Sequence, residues 1–95
     1  MRLTVDNVKK KIIGVLKKNG VKKASLFGSV VTGEATAKSD VDILIDFKGD
    51  QSLLDLVDLK LELEELLNHK VDLLTYKSLH PLLRDKILRQ QVNIL

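Results

Sequence analysis

Asp40 and Asp42 stand two residues apart at the head of an apolar run, Asp40-Val41-Asp42-Ile43-Leu44-Ile45-Asp46-Phe47, and a second run, Val21 to Phe27, ends on Gly28-Ser29 ten residues earlier. Strand side chains repeat every two residues, which puts Asp40 and Asp42 on one face and Val41, Ile43, Ile45 and Phe47 on the opposite, core face. At roughly 4 to 5 Å and an effective dielectric near 20, two carboxylates repel by about 3 to 4 kcal/mol. Such a pair calls for a cation or a shifted pKa. Asp72 interrupts a third apolar run, between Val71 and Leu73, in the same manner. A carboxylate buried inside a strand is costly unless it is paired or coordinates metal.

Three aspartates on two adjacent strands would form an all-oxygen site suited to Mg²⁺. A Gly28-Ser29 turn nearby would hold the terminal phosphates of a nucleoside triphosphate through backbone N–H groups and a hydroxyl. With Asp40 and Asp42 as metal ligands and Asp72 as general base or second-metal ligand, the implied reaction is attack of a hydroxyl on an α-phosphate with release of pyrophosphate.

The remaining elements have to bring these groups together. Thr4 or Asp6 can cap a first helix whose apolar residues Val5, Val8, Ile12, Ile13, Val15 and Leu16 recur at spacings of three and four, with Gly20 as its stop. Val21 to Phe27 reads as the first strand, Ser29 to Thr32 as one helical turn, Gly33 to Ser39 as a loop and Asp40 to Phe47 as the second strand. Ser52 caps a helix over Leu53 to Leu67, with Leu53, Leu56, Leu59, Leu63 and Leu66 expected on one face and Asp55, Asp58, Glu62 and Glu65 on another. A third strand spans Lys70 to Thr75. Ser78 is the expected cap of a last helix through Pro81 to about Gln90, and Val92 to Leu95 reads as a short edge strand or a partner-binding tail.

With 95 residues the chain is expected to form one domain over 1–95. Only three residues are aromatic among 44% apolar ones, so the core has to be built from Leu, Ile and Val. The absence of cysteine excludes disulfides, thiolate metal sites and cysteine nucleophiles. No apolar run approaches the roughly 18 residues of a membrane span, and the first residues do not open a signal peptide, so a cytoplasmic protein is expected. The net charge of +3 conceals a segregation: residues 1–39 carry nine Lys/Arg against two acids, residues 40–65 two against nine, and residues 66–95 five against two. No aromatic residues interleave with the amino-terminal lysines to stack on bases, so nucleic acid is not the expected partner.

Gly28-Ser29, the ten-residue interval, Asp40-Val41-Asp42 in an apolar strand and a later strand aspartate together resemble the minimal nucleotidyltransferases of the DNA polymerase β-like superfamily. The resemblance runs over nearly the whole chain, including the Leu53 to Leu67 helix, Lys70-Val71-Asp72-Leu73 and Leu82 to Leu88. It implies an α/β (α+β) fold, the polymerase β-like palm, with a small mixed sheet flanked by helices. It also implies a Gly28-Ser29 phosphate turn and two Mg²⁺ held by Asp40, Asp42 and Asp72. Many such proteins are antitoxins paired with a HEPN-domain ribonuclease, and some transfer AMP from ATP to a tyrosine of that toxin.

One feature departs from the family pattern Gly-Ser-x-Ala-Arg-Gly: Val30-Val31-Thr32-Gly33 offers no positive charge for a bidentate phosphate contact. A binding-only antitoxin is therefore the alternative to an enzyme, and a nucleic-acid binder using the basic amino-terminal third is a third reading. Asp46 is expected to form a salt bridge or cap rather than bind metal. Tyr76 is expected to pack at a strand end, and His69 and His80 to stand outside the chemistry.

Overall fold

A computed structural model of the chain describes residues 2–95. Its elements follow in the order α1 (Val5–Lys18), β1 (Val21–Phe27), α2 (Ser29–Thr32), β2 (Val41–Phe47), α3 (Leu53–Leu67), β3 (Val71–Thr75), a 3-10 turn (Tyr76–Ser78), α4 (Pro81–Gln90) and β4 (Val92–Asn93). The four strands form one sheet in the order β3-β2-β1-β4. β1 runs antiparallel to both β2 and β4, whereas β2 and β3 are parallel and joined through α3. The α/β architecture and the mixed sheet are as the resemblance implies.

Local chemistry explains the boundaries. Thr4 caps α1 by accepting from the Asn7 N–H, and Ser52 and Asp55 form a reciprocal capping box on α3. The main core lies between the sheet and α1 and α3: Val8, Ile12, Leu16, Leu59, Leu63 and Leu67 pack against Leu26, Val41, Ile43, Ile45, Val71 and Leu73. On the other face a smaller cluster, Phe27, Leu44 and Leu79, is flanked by partly buried Leu74, Tyr76, Ile87 and Leu88. The sheet is therefore apolar on both faces, which strict alternation along β2 does not suggest.

Three expectations change. The buried stripe of α3 comprises Leu59, Leu63 and Leu67 with Leu56 partly buried, whereas Leu53 is 74% exposed and Leu66 lies at the margin. A stripe drawn on spacings of three drifts round a helix of 3.6 residues per turn, and the i+4 series wins. Ser78 does not cap α4; it closes the 3-10 turn with Thr75, and the His80 ring accepts from the Leu82 N–H at 3.2 Å. Asp72 is exposed rather than buried, because its face of β3 is left uncovered at that end. Val92–Asn93 is an edge strand, held by Ile94 N–H to the Ala24 carbonyl at 2.9 Å. No described helix is long and apolar enough to cross a membrane.

Candidate active site

Parallel pairing of β2 with β3 sets Asp42 beside Asp72, and antiparallel pairing of β1 with β2 sets Phe27 beside Asp42. The residue after Phe27 is Gly28. Three separate stretches of sequence are thus delivered to one end of the sheet by ladder register alone. Asp40 stands one residue ahead of β2, exposed to solvent, rather than within the strand. Its approach is tied down on both sides: the Ser39 carbonyl lies 3.3 Å from His69 Nδ1, and the Val41 N–H donates to the Lys70 carbonyl at 2.9 Å. Glu64 buttresses the start of β3 by accepting from the Val71 N–H at 2.9 Å.

Gly28 connects the turn to the carboxylates directly. It adopts φ 71° and ψ −149°, a region open essentially to glycine alone. A Cβ there would collide with Asp42 Oδ2 and lie 3.0 Å from its Cγ. The missing side chain is what lets the Asp42 carboxylate lie against the turn. Val31 and Thr32 N–H both return to the Gly28 carbonyl at 3.1 Å. Ser29 and Val30, at the start of α2, have N–H groups with no acceptor inside that turn.

Electrostatics single out Asp42. Its pKa is pushed up from 3.8 to about 6, first by burial, then by the Asp72 carboxylate, then by that of Asp40. Among the described residues no three acidic, histidine or cysteine side chains converge as a ready metal cage. Asp72 and Asp40 are nevertheless close enough to act on the charge of Asp42, and the all-oxygen donor set of the three, two of them exposed, suits a hard divalent cation. A surface depression of about 560 Å³ is lined by Lys60, Glu64, Asn68, His69 and Lys70, and none of the five candidate site residues borders it. The exposure of Asp40 and Asp72 makes the site accessible to a hydroxyl presented by a macromolecule.

Sequence reasoning passed over two contributors. Ser25, fully buried, has its hydroxyl 2.7 Å from that of Tyr76 and 2.6 Å from Asn93 Oδ1, and the Tyr76 hydroxyl lies 3.0 Å from Gln91 Oε1, so the four side chains share one polar cluster. Tyr76 therefore packs at the strand end, as expected, but also anchors the carboxy-terminal segment, with Lys23 Nζ 4.7 Å from its ring centroid. The second is Gln90, whose Oε1 accepts the Gly28 N–H at 3.1 Å. A partner 62 residues away leaves no mark in local sequence. Asp46 forms the expected salt bridge, to Lys22 at 3.4 Å.

Residues 10–95 match the family described as Polymerase beta, Nucleotidyltransferase. Over 93 residues the chain is 53% identical to a candidate protein adenylyltransferase of Methanocaldococcus jannaschii, covering 98% of this chain and 100% of that protein. It is 44% identical over 75 residues to the protein adenylyltransferase MntA of Thermococcus cleftensis, covering 79% of this chain and 76% of MntA. A crystal structure of a toxin–antitoxin with AMP-PNP superposes with a TM-score of 0.81 at 26% identity, covering 92% of this chain and 72% of the matched one.

Proposed function

The chain belongs to the polymerase β nucleotidyltransferase family, and we propose that it is a protein adenylyltransferase that moves AMP from ATP onto a tyrosine of a partner HEPN ribonuclease, acting as its antitoxin. The observation that carries this reading is the pairing of Asp42 with Asp72 beside the Gly28-Ser29 turn, whose backbone leaves room for the Asp42 carboxylate.

In this reading the Ser29 N–H and hydroxyl orient the triphosphate. Asp40, Asp42 and Asp72 would hold Mg²⁺, which supplies the positive charge that both the clustered carboxylates and the phosphates require. Asp72, exposed at the rim, takes the proton of the incoming hydroxyl. The hydroxyl oxygen bonds to the α-phosphorus as the bond to pyrophosphate breaks. An open site agrees with an acceptor carried by another protein. The name of MntA and the toxin–antitoxin with AMP-PNP support both the nucleotide and the partner class.

A second reading, neutralisation by binding alone, is favoured by one feature: α2, Ser29–Thr32, carries no cation. Thermal unfolding with Mg²⁺ and ATP, separately and together, separates the two. Ligand at a hundredfold over its dissociation constant stabilises by about 2.7 kcal/mol, which raises the midpoint of a domain this small by about 10 °C. The enzyme reading expects that joint shift in the wild type and its loss in Asp42→Asn. No shift in either protein, with the toxin still inhibited, would establish binding alone.

A further inference from the structure

The antiparallel pairing of β1 with β4 runs Ser25↔Asn93 and Leu26↔Val92. Continued by two residues, the same register sets Gly28 opposite Gln90. There the backbone no longer serves as a ladder, because Gln90 is the last residue of α4. The side chain takes over: Gln90 Oε1 accepts the Gly28 N–H at 3.1 Å, as a ladder carbonyl would.

We propose that Gln90 is a positioning residue for nucleotide binding, fixing the Gly28-Ser29 turn from the carboxy-terminal segment. The inference rests on the reading of that turn as the phosphate site. Its physical basis is that glycine is the loosest residue in the chain and Gly28 occupies a conformation that other residues avoid, so the turn needs external restraint. The Gly28 carbonyl is restrained locally, by Val31 and Thr32. Its N–H is restrained only by Gln90 among the described residues. The segment that carries Gln90 is itself held, since the Gln91 N–H donates to the Ile87 carbonyl at 3.0 Å and the Ile94 N–H to the Ala24 carbonyl at 2.9 Å joins the tail to β1. With both ends of the Gly28 unit held, the Ser29 N–H keeps one direction, and the Asp42 carboxylate keeps its place against the turn.

The test compares Gln90→Met, which keeps length and removes the acceptor, with Gln90→Glu, which keeps an acceptor, and Gln91→Met, which removes the neighbouring Tyr76 contact and leaves the turn alone. Amide hydrogen exchange of Gly28 is followed by NMR without nucleotide. Affinity for ATP with Mg²⁺ and the split between KM and kcat are measured on the same proteins. A hydrogen bond of ordinary strength corresponds to about a fivefold effect. Gln90→Met is expected to speed Gly28 exchange and raise the KM for ATP about fivefold with kcat held, and Gln90→Glu to retain the wild-type protection of Gly28. Gln91→Met is expected to lower the unfolding midpoint without moving KM. Unchanged Gly28 exchange in Gln90→Met, or faster exchange with unchanged ATP affinity, would overturn the inference, as would an equal KM effect from Gln91→Met. If the wild type itself fails to bind ATP with Mg²⁺, the phosphate reading of the turn falls and this inference with it, whatever the exchange data show.

Discussion

The two faces of the sheet are built to different standards. On one, α1 and α3 seal a continuous aliphatic core around Ile43 and its neighbours. On the other, three buried residues, Phe27, Leu44 and Leu79, lie beneath α4, a helix with no fully buried side chain of its own. The aspartates and the Gly28 turn share that thinner side with Leu44, since Asp42 and Leu44 have the same strand parity. A tightly packed face holds the fold, and a lightly covered one leaves charged groups reachable by solvent and partners. Clustering carboxylates opposes stability, so it is tolerated where the packing beneath it is supplied from the opposite side.

Ile43 and Leu44 make this contrast within two consecutive residues, both fully buried and pointing opposite ways. Ile43→Ala is expected to cost about 4 kcal/mol, because two helices bridged by many contacts cannot collapse into the void. Leu44→Ala is expected to cost about 2 kcal/mol, because α4 can settle inward, and also to reduce transfer activity per folded molecule. Urea unfolding combined with an activity assay checks both. Equal costs, or equal activity, would erase the distinction between the faces.

The next effect concerns pH. Below pH 3.8 Asp42 holds its proton whether folded or unfolded; between 3.8 and about 6 the folded chain holds more protons than the unfolded one, so stability falls as pH rises through that window. Above about 6 the loss is complete, at most about 3 kcal/mol for this group. Asp42→Asn removes this pH dependence, so the stability of the metal-free wild type relative to this variant should drop between pH 4 and pH 7, by less than that bound because solvent screens the half-exposed carboxylate. A flat difference curve would mean that neither burial nor the neighbouring carboxylates raise the pKa of Asp42. A smaller effect is expected of Gly28→Ala: about 2 kcal/mol from backbone strain, with activity falling further than stability because the new Cβ displaces the Asp42 carboxylate. Activity falling only in proportion to the folded fraction would uncouple the turn from the aspartate.

Much of this organisation was readable in residue order. The apolar periods marked α1, β1, β2 and β3, and Thr4, Ser52 and Gly20 stand where caps and stops belong. Elsewhere two signals compete. On α3 apolar residues occur on every side, so Leu53 and Leu66 were as plausible a priori as Leu67, and only contact with α1 and the sheet chose among them. Near α4, Ser78 and His80 both offer a capping group, and the 3-10 turn claimed the serine. The apolar neighbours of Asp72 predict a buried carboxylate, yet burial depends on what another element lays over that face.

Residue order alone settles which residue types are present for chemistry, their strand parity and the turn at Gly28, because these follow from local backbone geometry and side-chain period. Whatever needs a register between distant segments comes from the assembled fold: Asp42 beside Asp72, Phe27 beside Asp42, and Gln90 on the Gly28 N–H. Hydrogen-bond ladders choose partners by the summed fit of two whole strands and their packed helices, and no single stretch of the chain contains that sum.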